Sequence, residues 1–239
     1  MKKSLHGKNA FVIGGTSGIG YQLALALLQT GAHVSVQGKI RGDRIEALRS
    51  KGNAGGFLCD LQDSSCTDIV CNHAKEADIL CIAYGPFLQK PLDQTDAEEW
   101  TKTVYANLTL PGIAVSAALA EMKRRKWGRI LLFGGTETHL VRGFKTNAVY
   151  GAAKTGIMSL VRSISLAYAQ YGITANAICP GFTDTELLSE TVRMQWAKKS
   201  PDGTLIAAGS IVNTALFLLH EPSCNGVILP VDKGWSSLS

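Results

Sequence analysis

The chain predicts a Rossmann-type, doubly wound α/β fold: one parallel sheet of about seven strands with helices on both faces. Three observations predict it. Short β-rich runs alternate with longer runs of helical spacing along the whole chain, as parallel strands joined by crossover helices require. The first strand runs into a glycine-rich turn, Gly14 to Gly20, that opens the first helix. No repeat or low-complexity linker divides the 239 residues, and a chain of this length forms one large domain readily. Residues 1–239 are therefore expected to be a single domain.

The elements follow in order. Residues 9–13 are an apolar run ending in glycines, a buried strand. Residues 19–29 place Leu23, Ala26 and Leu27 on one face and close at Gly31, a helix with a C-terminal glycine,. Residues 33–36 read as a strand, 43–49 as a short helix, 56–59 as the third strand and 64–75 as the next helix. Residues 78–83 form the fourth strand. Residues 98–126 are helical, with Pro111-Gly112 as the place for a break,. Then come a strand at 129–133, a long helix at 148–170, a strand at 173–179, a helix at 206–219 and a last strand at 226–231.

Composition narrows the function classes. Hydrophobic residues make up 46% and charged residues 18%, which excludes a disordered chain. The net charge of +5 is modest and spread out. It suits a protein that handles phosphates, and no nucleic-acid partner is expected. None of the six cysteines, Cys59, Cys66, Cys71, Cys81, Cys179 and Cys224, forms a C-x-x-C pair, and several sit in apolar runs. Buried reduced thiols and a cytoplasmic location are expected, with no metal. The apolar stretch at 10–13 is too short for a signal peptide, and no run reaches transmembrane length, so no membrane partner is expected,.

Ligands in such sheets bind beyond the carboxyl ends of the strands, so the residues after each strand carry the chemistry. After the first strand, Gly14-Gly15-Thr16-Ser17-Gly18-Ile19-Gly20 lets the backbone approach a pyrophosphate at a helix N-terminus,. The second strand ends Gln37-Gly38-Lys39 without the acid that binds ribose hydroxyls in NAD-preferring proteins,. Lys39 and Arg41 could neutralise a 2′-phosphate, which favours NADP, or simply be solvated. Asp60 could accept from the adenine amino group or cap the following helix, as could Asp63 or Ser64. Tyr150 and Lys154 are four residues apart, so they project from one helix face,. An ammonium near a phenol lowers a pKa that starts near ~10 and gives a proton donor and acceptor.

Together these residues resemble the short-chain dehydrogenase/reductase family, single-domain type, from about Gly7 to Trp235. The glycine motif, Asp60-Leu61, Asn107, Tyr150-x-x-x-Lys154, Pro180-Gly181 and the ending Asn225-Gly226-Val227 to Trp235 occur in the family order. Within the family the chain is similar to the 3-oxoacyl-[acyl-carrier-protein] reductases. The resemblance implies Tyr150 as general acid or base, Lys154 as its electrostatic neighbour and ribose ligand, and Asn107 as the holder of a relay water. It implies that Pro180, Gly181, Thr183 and Thr185 place the nicotinamide, and that Gly14, Thr16, Ser17, Gly18, Ile19, Gly20, Lys39, Arg41, Asp60 and Leu61 hold the rest of the dinucleotide. It also implies a homo-oligomer, a tetramer or dimer, and a substrate lid near 183–205.

Three departures stand out. The family serine after the fifth strand falls on Gly135 by strand register, with Thr136 and Thr138 as the nearest hydroxyls and Thr136 chosen as the substitute donor,. His139 is a further polar candidate. The family's Asn-Asn-Ala-Gly reads Ile82-Ala83-Tyr84-Gly85, and the threonine before the first glycine is Ile13. Leu187, Leu188, Met194 and Trp196 in the lid suit a partly apolar substrate, or equally core or subunit contacts. The expected function is NADP(H)-dependent interconversion of a carbonyl and an alcohol. The alternative is a catalytically weak dinucleotide-binding sensor or partner subunit.

Overall fold

The computed structural model describes residues 5–63 and 65–238. Ser64, one of three candidate caps for the third helix, lies outside the described residues.

The strands are β1 (Asn9–Ile13), β2 (His33–Gly38), β3 (Ala54–Leu58), β4 (Ile79–Ile82), β5 (Gly128–Phe133), β6 (Ile173–Pro180), β7 (Thr183–Asp184), β8 (Ile206–Ala207) and β9 (Ile228–Val231). Seven of them form one sheet in the order β3-β2-β1-β4-β5-β6-β9, and every neighbouring pair is parallel. The chain first winds outward from β1 to β3, then returns to lay β4 on the other side of β1. That reversal opens a crevice between the carboxyl ends of β1 and β4, where Ile13 pairs with Ile82,.

Side chains alternate across the sheet with the period of two that strands impose. Phe11, Ile13, Leu80 and Ile82 point to one face. There they meet α3 (Ser65–Glu76), α5 (Leu110–Arg125) and α6 (Ala148–Tyr168). Val12, Cys81 and Leu131 point to the other face, against α1 (Gly18–Gln29), α2 (Gly42–Arg49) and α8 (Ala208–His220). Both faces of the sheet are covered, which is why its strands read as continuous apolar runs.

The expected break at Pro111-Gly112 is not there. Residues of α4 (Ala97–Val104) pass through a π turn (Tyr105–Thr109) directly into α5. A proline has no N–H for the carbonyl four residues back, here Asn107. The wide turn just before it absorbs that loss, with the Leu110 N–H reaching back to Tyr105 O,. The result is a single helix, Ala97–Arg125, long and apolar enough by length and composition to cross a membrane. Its bounds lie within one residue of the expected 98–126, unbroken because the helix survives the proline. Ala106, Leu110, Ala114, Val115, Ala118 and Met122 are buried in the protein.

Between β7 and β8 lies α7 (Glu190–Lys199), which the alternation of runs did not predict. None of its residues is buried, so it has no apolar face for a periodicity reading to find. β7 pairs with β8, Thr183 opposite Ile206 and Asp184 opposite Ala207. That pairing closes the segment into a flap on the crevice side of β6.

Candidate active site

The glycine turn is dictated by close packing. Gly14 has φ +79°, and a Cβ there would lie 2.8 Å from Tyr84 N, on the segment after β4. A Cβ on Gly20 would lie 2.2 Å from Gly14 O. No other residue fits either place. Gln37, buried at the end of β2, ties the turn to its neighbours. Its Oε1 accepts from Gly14 N at 3.1 Å and its Nε2 donates to Cys59 O at 2.9 Å. In the sequence, the signal for this tie is a polar side chain at the end of an apolar strand,. The backbone of Ile13 still ties β1 to β4, accepting from Ala83 N at 2.9 Å.

Ser17 precedes α1 with extended backbone, yet its side chain makes no capping bond. The Gly18 N–H instead donates to Glu186 Oε1 at 3.0 Å. Ile19 follows in the first turn, whose amides have no partner within the helix. Thr16 Oγ1 donates to Ile40 O at 3.1 Å. Its side chain covers Gly38 so closely that a Cβ on Gly38 would lie 2.0 Å from Thr16 Oγ1.

At the far end of the crevice Lys39 Nζ and Asp60 Oδ2 pair at 2.8 Å. Lys39 and the Gln62 N–H hold the Asp60 carboxyl below its usual range. Asp60 thus closes its own loop, and Asp63 is the residue that accepts from Ser65 N, at 2.9 Å, where α3 begins. Leu61 is buried beneath it. Arg41 takes a left-handed conformation with φ 74° just before α2 and lies 3.4 Å from Asp43.

At the near end, α6 brings Tyr150 and Lys154 against the ends of β4 and β5. Lys154 is 2% exposed, and its Nζ donates to Phe133 O at 2.9 Å. Asn107 is fully buried in the π turn. Its Nδ2 donates to Pro86 O and Thr103 O, both at 3.0 Å, while its Oδ1 has no partner. Gly85, the residue retained from the family run, lies between them. A Cβ there would fall 2.5 Å from Lys154 Nζ and 2.8 Å from Asn107 Oδ1.

The electrostatics differ from the sequence expectation. Burial pushes the Tyr150 phenol up rather than down, with the Cys179 thiol adding to the effect. Burial also brings the Lys154 ammonium down to about 8, opposed by Cys179. The ammonium spends its hydrogen bond on Phe133 O, with Nζ 6.0 Å from the Tyr150 ring centre. Desolvation is therefore the main cause for both groups,.

Gly135 sits directly at the tyrosine: a Cβ there would lie 2.6 Å from Tyr150 Oη. Thr136 Oγ1 donates to Pro180 O at 3.3 Å. Thr138 is fully buried, accepting from Gly135 N at 2.9 Å and donating to Gly135 O at 3.0 Å. It braces the turn. His139 Nδ1 is buried without a partner. Phe87, unremarked in the sequence, sets its ring edge-on to Tyr150 at 4.9 Å and is 55% exposed.

Beyond β6, Pro180 receives the Thr136 hydroxyl, Gly181 N donates to Val231 O, and Thr183 Oγ1 donates to Gly181 O at 3.0 Å. Thr185 arrives beside the glycine turn, its Cβ 3.9 Å from where Gly18 would carry one. Phe182 packs on Trp196 of the flap at 4.9 Å and on Trp235 at 4.8 Å. Leu187 and Met194 remain 65% and 54% exposed.

These residues fit a nicotinamide dinucleotide. The turn at Gly14, Gly18 and Gly20 carries bare backbone into a helix N-terminus, and Asn107 offers an unpartnered oxygen behind Lys154,.

The family model described as short chain dehydrogenase matches residues 8–196. D-beta-hydroxybutyrate dehydrogenase of Cupriavidus necator is 30% identical, over 97% of this chain and 98% of that one. The 3-oxoacyl-[acyl-carrier-protein] reductase of Buchnera aphidicola is 30% identical over 90% of each chain. Among solved structures, a short chain dehydrogenase/reductase family protein superposes with a TM-score of 0.85 at 28% identity, covering 97% of this chain and 99% of that one. With its sheet order and its glycine turn in place, the chain belongs to the short chain dehydrogenase family and is an oxidoreductase.

Proposed function

We propose that the protein is an NADP(H)-dependent reductase that interconverts a small carbonyl compound and its alcohol, with Tyr150 as the general acid or base. The observation that carries this reading is the convergence of Tyr150, Lys154 and Asn107 on Gly85 and Gly135, beside the crevice between β1 and β4. The bound dinucleotide supplies the hydride. Tyr150 is held protonated by its burial, so it meets a developing alkoxide as a proton donor. Lys154, charged below about 8, faces the same space. Behind it the open Asn107 Oδ1 is the acceptor for a water that returns the proton from outside. Thr136 is the substitute for the family serine: it has only to exchange its bond to Pro180 O for one to substrate.

Two features support NADP. Thr16 leaves no room at Gly38 for a carboxylate that would bind ribose hydroxyls and repel a 2′-phosphate. Lys39, Arg41 and Arg44 lie around the same end, with Lys39 66% exposed. Exposed Phe87, Leu140, Val141 and Leu187 favour a partly apolar substrate beneath a lid at 183–205,. The free thiols suit the cytoplasm,, and exposed Leu166 on α6 suits a homo-oligomer.

A carbonyl panel with NADPH and NADH tests the reading. Tyr150→Phe should lower turnover by about 10²–10⁴ and leave dinucleotide affinity unchanged. Gly135 and the occupied hydroxyls of Thr136 and Thr138 favour a second reading, a dinucleotide-binding sensor. Binding without turnover on every carbonyl, with Tyr150→Phe silent, would decide for it.

A further inference from the structure

Helix α1 has no cap of its own. The Ser17 side chain makes no capping bond and the first turn contains no acid. The missing anion comes from 168 positions away: Glu186 Oε1 accepts from Gly18 N at 3.0 Å. Glu186 lies two residues beyond β7, at the base of the flap. Its neighbours hold it there. Leu187 and Thr185 pack 3.5 to 3.9 Å from the position of a Cβ on Gly18. The Arg44 guanidinium lies 3.9 Å from Glu186 and rests on the Tyr21 ring of α1 at 4.3 Å. Burial raises the Glu186 carboxyl, but the Gly18 N–H and then Arg44 and Arg41 outweigh it, so the group is a carboxylate at neutral pH.

A helix N-terminus with free amides attracts a phosphate for the same reasons it attracts this carboxylate. Both are anions, and one amide donates to one of them at a time. We propose that Glu186 is a resident anion of the dinucleotide crevice: its carboxylate latches the 183–205 flap onto the N-terminus of α1, and a cofactor phosphate must displace it to bind. The inference rests on reading the crevice as a dinucleotide site. Displacement does two things at once. It frees the flap at its β7 end, and it leaves Arg44 without its carboxylate, beside the incoming negative charge. Cofactor arrival and flap opening are then one exchange of anions on Gly18 N.

The test uses the full chain with Glu186→Gln and Glu186→Ala. NADPH affinity is read by fluorescence titration and association by stopped flow. Flap opening is read separately, in protein without nucleotide, by tryptic cleavage at Arg193, Lys198 and Lys199. Both variants should bind NADPH about tenfold tighter and faster, as expected for losing one charge-assisted hydrogen bond from the competing state. Glu186→Ala should be cut faster in the flap. Unchanged or weaker NADPH binding, or unaltered cleavage, would overturn the latch while leaving the crevice assignment standing. Failure of the wild type and both variants to bind NADPH or NADH would overturn the crevice assignment itself.

Discussion

A Cβ placed on Gly135 would lie 2.6 Å from the hydroxyl oxygen of Tyr150. The phenol leans into the space a side chain at Gly135 would need. Gly135→Ser should therefore not restore a stronger enzyme. The added side chain would displace the Tyr150 ring, with an overpacking strain of about 1–3 kcal/mol, and turnover should fall roughly tenfold or more. A gain in kcat for Gly135→Ser would show that the hydroxyl has not migrated to Thr136.

Lys154 makes a pH-dependent contribution whose sign is fixed by its burial. Its pKa falls from 10.5 to about 8. Between those values the unfolded chain carries a proton at this site that the folded chain lacks, so the site's contribution to stability rises with pH across the window. Below about 8 both states carry the proton, and the cost of burying the ammonium is constant and at its largest,. Lys154→Met should abolish this rise, worth up to about 3 kcal/mol. Urea unfolding of both proteins from pH 7.5 to 10.5 measures it, and parallel curves would refute it.

Thr16 and Gly38 should behave as one unit. Gly38→Asp alone must push Thr16 off Ile40 O, so it should weaken all dinucleotide binding without gaining NADH. Thr16→Gly with Gly38→Asp makes room for the carboxylate, and the ratio of NADPH to NADH affinity should fall by about tenfold or more. The two substitutions are adjacent and should be strongly non-additive. Titration of each variant with both nucleotides reads the outcome.

Asn107 holds the π turn together as well as facing Lys154. Asn107→Ala leaves Pro86 O and Thr103 O without their shared donor. A loss of about 1–3 kcal/mol in chemical denaturation is expected. Asn107→Asp, which keeps the size but removes the donor, should cost at least as much. Wild-type stability in either variant would mean that water replaces the amide.

Much of this was legible in the chain. The succession of strands and helices, the glycine turn and the place of Tyr150 and Lys154 on one helix depend on local periodicity and spacing, and each lies where the sequence placed it. Strand register led from the sequence to Gly135, and the structure sets that residue against Tyr150. Other features were not legible. The helix at Ala97–Arg125 survives Pro111 only because a π turn precedes it. Helix α7 has no buried face to create a pattern. The Tyr150 phenol is pushed up, not down, because burial acts on the whole pair and spacing says nothing about burial.

The amino-acid order by itself determined which elements form and which chemistry-bearing residues lie at strand ends, since these follow from periodicity, glycine placement and an i, i+4 spacing. Only the tertiary structure decided who meets whom: Glu186 on the Gly18 amide, Thr16 over Gly38, and Lys154 on Phe133 O rather than on the tyrosine. Those contacts depend on desolvation and on partners brought from distant segments, quantities that exist only once the two faces of the sheet have closed.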